Sequence, residues 1–334
     1  MCVVAGLLLT TFAFGQSPMP EETQEDAATK RVSPAVPGRP SGKVDLVLDT
    51  DAYNEVDDQF AIAFAALAPD HINLKAVTAA PFLNRRSTSF EDGMEQSYDE
   101  ILRILKLLDL PTDNAFRGSK EKLPDVETPV DSPAAREIIR LAHESRDGPL
   151  YVVGLGSATN IASALLLDPS IKERIVVVWI GGHPYYFPHA RDFNLKQDIP
   201  AAQVLFNSDV PLVHIPAGDV SEQLSVSLRD LRTGVQGKSK IGDELYNRVA
   251  AYQNEVSAGS AGDDWTKVIW DIATIAWIVD PEHSVQTKVV ARPTLQSDGT
   301  WLVKEPSDHG QIRVAIDVDT PVVFQHVYDV LERE

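Results

Sequence analysis

Cysteine is nearly absent: the 334 residues contain one, Cys2. A chain so poor in thiols cannot rest on a disulfide framework or a cysteine-ligated metal. Cys2 precedes an apolar run instead of following it, so it does not form a lipid-anchoring box. Basic clusters are missing too. Lys and Arg number 30 against 49 Asp and Glu, a formal charge of -19, and no basic run occurs. That excludes a phosphate-backbone ligand, so no nucleic acid is expected as partner. After the first residues no stretch reaches about 18 consecutive apolar positions, so nothing later is expected to span a membrane. What is present is a hydrophobic fraction of 43%, enough at this length to bury the core of one large or two small domains.

The opening "MCVVAGLLLTTFAFGQ" is apolar and offers Ala13-Phe14-Gly15 as a small-x-small cleavage site, though no Lys or Arg precedes the run. We read residues 1–15 as a signal peptide and expect a secreted or periplasmic protein. Residues 16–43, rich in Pro, Ser and Glu and without an apolar period, read as a disordered linker.

From Val44 onward, short β-branched runs alternate with helix-period segments. The runs are "VDLVLDT", "LKAVTAA", "PLYVVGLG", "RIVVVWIGG" and "VPLVHIPAGD". Helices are expected to start near Val56, Ser97, Ser132, Thr159 and Ile199. Continuous apolar strands between helices predict an α/β fold, an open and mostly parallel twisted sheet with helices on both faces. The C-terminal part should add the helix "WDIATIAWIVDP", a hairpin around "QSDGTW", the strand "IRVAIDVD" and a last helix.

The first strand runs into an acidic cluster, Asp49, Asp51, Glu55, Asp57 and Asp58. Ligands of parallel sheets sit at the carboxyl ends of the strands, where this cluster lies. A helix N-terminus favours each carboxylate by only about 0.3 to 1 kcal/mol, too little to offset several close like charges. Either the cluster is a solvated turn, or it grips a hard cation. Oxygen-only ligands suit Ca²⁺ more readily than Mg²⁺ when the protein supplies several carboxylates.

"DTDAYNEVDD" resembles the Asp-x-Asp then Asp-Asp signature of the nucleoside hydrolases of inosine-uridine-preferring type. "VVGLGSATNIASALLLDP", "VVWIGG", "ARDFNLKQDIPAAQVLF", "WDIATIAWIVDP" and "IRVAIDVD" are similar to further segments of that family in the same order. The likeness makes 44–334 a nucleoside-hydrolase-like domain, related to Rossmann folds. It implies Ca²⁺ as cofactor, held by Asp51, Asp58, Asp271 and the backbone carbonyl of Leu155. It implies Asp57 as general base and Asp49 as a hydrogen-bonding support behind the ligands. Asp192, one methylene shorter than the family's Glu, and Asn194 would hold ribose hydroxyls, with Asn84 a further substrate contact. The implied reaction is hydrolysis of a ribonucleoside or related riboside to ribose and free base, and the implied assembly a dimer or tetramer.

Two departures stand out. "AYNEV" lengthens the loop between Asp51 and Asp57, and Trp270 replaces the His that precedes the last Asp in the family. The leaving group then needs another partner, and His183, His189 and Trp270 are the candidates for that side. Tyr185, Tyr186 and Phe187 are placed either to stack on a base or to form an ordinary lid. Two alternatives remain at this point: a secreted nucleoside- or sugar-binding protein of the same fold, and a haloacid-dehalogenase-type phosphatase, since "LVLDTDA" also ends a strand in Asp-x-Asp.

Overall fold

Strands that alternate in side-chain direction yet are apolar at nearly every position must be covered twice, and the computed structural model shows how. It describes residues 1–2, 36–257, 262–279 and 281–333. The expected leader beyond Cys2 and the expected linker up to residue 35 lie outside them. Residues 36–43 run beside the last strands of the sheet: Arg313 Nε donates to the Pro37 carbonyl at 2.6 Å, and the Arg39 guanidinium donates to the Val285 carbonyl.

In chain order the first half contains β1 (Val44–Thr50), α1 (Asp58–Ala66), β2 (Ile72–Ala79), α2 (Phe90–Leu107), β3 (Ala115–Phe116), α3 (Pro133–Ala142), β4 (Leu150–Gly154) and α4 (Thr159–Leu167). There follow β5 (Ile175–Ile180), α5 (Phe193–Gln197), α6 (Ile199–Phe206), β6 (Leu212–Ile215), β7 (Ser225–Ser227), α7 (Leu228–Val235), α8 (Lys240–Ser257) and β8 (Thr266–Val268). The chain closes with α9 (Ile272–Val279), β9 (Val285–Ala291), β10 (Thr294–Leu295), β11 (Trp301–Leu302), β12 (Gln311–Val318) and α10 (Thr320–Leu331).

Eight strands form one sheet in the order β3-β2-β1-β4-β5-β6-β12-β9. All neighbours are parallel except the edge pair β12 and β9. Leu46, Leu48, Val153 and Val178 point to one face, where α1, α2, α8, α9 and α10 pack. Val47, Val152, Val177 and Trp179 point to the other, under α3, α4 and α6. The expected α/β sandwich is therefore the observed one.

The chain leaves β1 toward β2 and β3 on one side, then returns to β4, β5 and β6 on the other. β1 and β4 thus flank the point where the winding reverses, and the crevice beyond their carboxyl ends is where open α/β sheets bind ligands.

Local chemistry explains most helix starts. Ser132 accepts from Ala135 N, and Asp198 accepts from Ala201 N, each ahead of a Pro in the first turn. α2 begins at Phe90, ahead of the expected Ser97, because Ser89 caps it by accepting from Asp92 N. Ser97 lies within the helix, on its buried face. The antiparallel β7–β8 pair and the helices α7 and α8 had no counterpart in the strand and helix expectations.

Candidate active site

The β1 sequence drives its carboxylates into the protein. Asp49 continues the parity of Val47, so it faces α4, and it is fully buried. Its Oδ1 accepts from Thr78 Oγ1 at 2.6 Å and from Asn160 Nδ2 at 2.8 Å, while Oδ2 has no partner. Burial pushes its carboxyl up to about 7 against the pull of those two donors. Asn160 is a hub: its Nδ2 also donates to the Ala79 carbonyl at 3.0 Å, and its Oδ1 accepts from Ser119 N and Oγ at 2.8 and 2.9 Å.

Asp51 lies one step beyond β1, 1% exposed, with Oδ2 buried and unpartnered. A side chain at Gly156 would bring a Cβ within 2.9 Å of the Asp51 carboxyl, so only glycine lets the β4 loop come so close. The carbonyl of the preceding Leu155 accepts from Asn194 Nδ2 at 2.6 Å.

Asp57 occupies the cap position of α1, yet its side chain accepts no hydrogen bond from the helix. It turns instead toward Asp58 and Asp271. One carboxylate oxygen from each of these three buried residues lies within 4.8 Å of the others. Thr50 Oγ1 donates to Asp58 Oδ1. Burial and then the neighbouring Asp57 charge push Asp58 up to about 8. Asp51 and Asp271 are held well above the usual carboxylate range, by burial first and by the charge of Asp58 next. A cation among these carboxylates would offset both their burial and their mutual repulsion. The donor set is all oxygen, and with the unpaired Asp51 Oδ2 it fits a hard divalent ion.

The expected ligands Asp58 and Asp271 thus converge from distant parts of the chain. Asp51 adjoins them and Leu155, and Asp57 takes the third place in the carboxylate group. Asp57 also has a neighbour that nothing in the sequence announced. Lys267, from β8 and 7% exposed, places Nζ 3.6 Å from Asp57 Oδ1 and 2.7 Å from Glu55 Oε2. Burial works against its charge, but Asp57 and Glu55 outweigh that and hold the ammonium above its ordinary range. Arg86 braces the same loop, donating to the Glu55 carbonyl at 3.2 Å and lying 4.8 Å over the Tyr53 ring.

The other expected substrate residues surround this centre unevenly. Asn194 donates to the carbonyls of Leu155 and Ile180, which sets its amide beside the site. Asp192 caps α5, its Oδ1 accepting from Gly182 N at 2.6 Å and Leu195 N at 2.9 Å, and its Oδ2 only from Asn194 N at 3.4 Å. Its oxygens are therefore mostly engaged by the backbone. Asn84 donates to Asn54 Oδ1 at 2.6 Å, tying the β2 loop to the lengthened β1 loop.

His183 and His189 lie in the loop after β5, 5.6 Å apart, each with a buried Nδ1 that has no partner. His183 stacks on Phe187 at 5.0 Å, and burial lowers its ordinary value against the opposing charge of Asp192. Glu222 and Asp219 also act on it, so its charged surroundings belong to the β5 and β6 loops and not to the carboxylate group. Tyr185 is anchored below, its hydroxyl 2.7 Å from His214 Nδ1 and its ring edge-on to Trp301, while Tyr186 is exposed. Trp301 Nε1 donates to the His183 carbonyl at 2.9 Å, so the β10–β11 hairpin fastens this loop. Trp270 is half-buried against the core on the α9 side.

Comparisons with known proteins bear on the chain as a whole. Residues 46–325 match the family model described as inosine-uridine preferring nucleoside hydrolase. A pyrimidine-specific ribonucleoside hydrolase RihA of Escherichia coli O1:K1 is 26% identical over 264 residues, which cover 71% of this chain and 80% of that one. Among solved structures, the plant nucleoside hydrolase PpNRh1 superposes with a TM-score of 0.67 at 22% identity, covering 87% of this chain and 99% of its own. A purine-preferring ribonucleoside hydrolase from Gardnerella vaginalis gives 0.66 at 21%, covering 87% and 100%. At such identities the structural likeness speaks for the fold.

Proposed function

The chain belongs to the inosine-uridine preferring nucleoside hydrolase family, and from that premise we propose that it cleaves the N-glycosidic bond of ribonucleosides or related ribosides with the aid of a divalent cation, Ca²⁺ by preference. The observation that carries this reading is the meeting of Asp57, Asp58 and Asp271 within 4.8 Å at the point where the sheet's winding reverses. Asp58 and Asp271, with Asp51 or Asp57 and the Leu155 carbonyl, are the groups to hold the ion. When bound, such an ion supplies a fixed point for sugar hydroxyls and lowers the pKa of a water.

The protein's own groups do the rest. Asn194, whose amide N–H groups are held by the Leu155 and Ile180 carbonyls, offers its Oδ1 to a ribose hydroxyl, and Asn84 and the free lone pairs of Asp192 Oδ2 are further hydroxyl partners. Surplus carboxylate charge favours an oxocarbenium-like transition state electrostatically. For the proton of the attacking water two acceptors compete. The family likeness implied Asp57, whose carboxyl burial raises while the Lys267 ammonium 3.6 Å away opposes that rise. Asp51, whose Oδ2 has no donor and whose carboxyl is held well above its ordinary range, is favoured.

The test is release of reducing sugar from a nucleoside panel with and without chelator, in wild type, Asp51→Asn and Asp57→Asn. Loss of the base should lower kcat by about 100- to 10,000-fold and remove the acidic limb of the pH profile. Activity that survives in both variants would refute the mechanism, and a wild type that binds ribosides without turnover would favour the binding-protein alternative. Export and assembly as a dimer or tetramer remain part of the proposal, resting on the apolar leader and on the family likeness. Among the described residues no helix is long and apolar enough to cross a membrane.

A further inference from the structure

We propose that Lys267 meets the departing base, donating a hydrogen bond from its ammonium to an acceptor oxygen there, and so selects ribosides whose base carries a carbonyl beside the glycosidic nitrogen, as pyrimidine nucleosides do. The inference rests on the hydrolase reading above and names its leaving-group partner.

An ammonium has three N–H groups. Lys267 commits one to Glu55 Oε2 at 2.7 Å and one to the Val268 carbonyl at 2.6 Å. The third N–H has no hydrogen-bond acceptor among the described residues: Asp57 Oδ1 at 3.6 Å makes an ion pair, too long for a hydrogen bond. The cation is fixed on both sides, since Glu55 is itself braced through its carbonyl by Arg86. The half-buried ring of Tyr252 lies 5.9 Å from Nζ, a flat surface beside the ammonium. A sugar seated on the carboxylate group beside Asp57 brings the substituent of its anomeric carbon within reach of this nitrogen.

The other candidates for that side are poorly placed. The charges acting on His183 are Asp192, Asp219 and Glu222 and not Asp57, His189 neighbours it at 5.6 Å, and the indole of Trp270 is no acid. In the step assigned here the bond from the anomeric carbon to the base nitrogen breaks, and its electron pair passes into the base and spreads onto the carbonyl oxygen. The water oxygen bonds to the anomeric carbon and its proton goes to Asp51. Lys267 opposes the charge on the base without giving up a proton, and the base is protonated afterwards by solvent.

The experiment compares wild type, Lys267→Met and Lys267→Arg on uridine, on unsubstituted purine riboside, which has no carbonyl, and on para-nitrophenyl riboside, whose leaving group needs no help. Lys267→Met should lower kcat/KM on uridine about 100-fold, the loss typical of one transition-state donor, and leave para-nitrophenyl riboside within about threefold. Purine riboside should follow the nitrophenyl substrate, Lys267→Arg should restore part of the uridine activity, and a plot of log kcat/KM against leaving-group pKa should steepen in Lys267→Met. An equal loss on all three substrates would overturn the proposal, because it would mean that Lys267 only holds the Glu55–Asp57 loop. A wild type inert toward all three with Ca²⁺ present would instead remove the hydrolase reading, and this inference with it.

Discussion

Asp49→Asn isolates the cost of burying charge behind the site. Asp49 is fully buried, and its Oδ2 has no partner. Its carboxyl is raised from 3.8 to about 7, chiefly by burial, a shift of roughly three pH units at about 1.4 kcal/mol each, or about 4 kcal/mol. The folded value lies above the unfolded one. The stabilising contribution is therefore complete below about pH 4, where the carboxyl is protonated in both states, and is lost as the pH rises through about 7. The variant keeps an oxygen for Thr78 and Asn160 but cannot ionise. It also puts an amide N–H₂ in the buried place of the unpartnered Oδ2, and a buried donor left unpaired costs about 1 to 3 kcal/mol. Net, Asp49→Asn should match or fall slightly below wild type near pH 5 and exceed it by about 1 to 3 kcal/mol near pH 8. Urea unfolding in the presence of chelator, read as midpoint and slope across that range, measures the difference. Curves for the two proteins that run parallel with pH would refute the reasoning, since they would mean that Asp49 is ionised in the folded state throughout, as it is in the unfolded one.

Divalent cation should stabilise the fold, because ionised Asp58 and Asp271 gain a counter-charge. At about 100 times the dissociation constant the gain is about 2.7 kcal/mol, visible as a rise in the thermal midpoint with Ca²⁺ and absent in Asp271→Asn. Asn160→Ala removes donors from Asp49 and Ala79 and the acceptor of Ser119, so it should cost about 2 to 4 kcal/mol of stability by urea titration. A loss under about 0.5 kcal/mol would mean that water replaces the amide at no cost.

Periodicity carried the fold. The strand runs and the helix starts at Ser132, Thr159 and Ile199 reappear, those at Ser132 and Ile199 because caps and prolines act locally. Ser97 failed as a start because a stronger local signal, Ser89 ahead of two acidic residues, lay upstream. Asp51 and Asp58 were legible in an oxygen-ligand pattern and Asp271 only through the family likeness, and Asn160 lay in a motif whose Thr-Asn pair was noticed but given no task.

What the chain by itself determined was residue type and parity: apolar strands that need two covering layers, and acids placed where a strand ends and a helix begins. The tertiary fold decided which charges become neighbours. Lys267 sits in a three-residue strand with no pattern around it, and only the pairing of β7 with β8 carries its ammonium to Asp57 and Glu55. The reason is the reach of the forces: capping and side-chain alternation act over a few residues, whereas a Coulomb interaction depends on distance in space, which no local window of sequence contains.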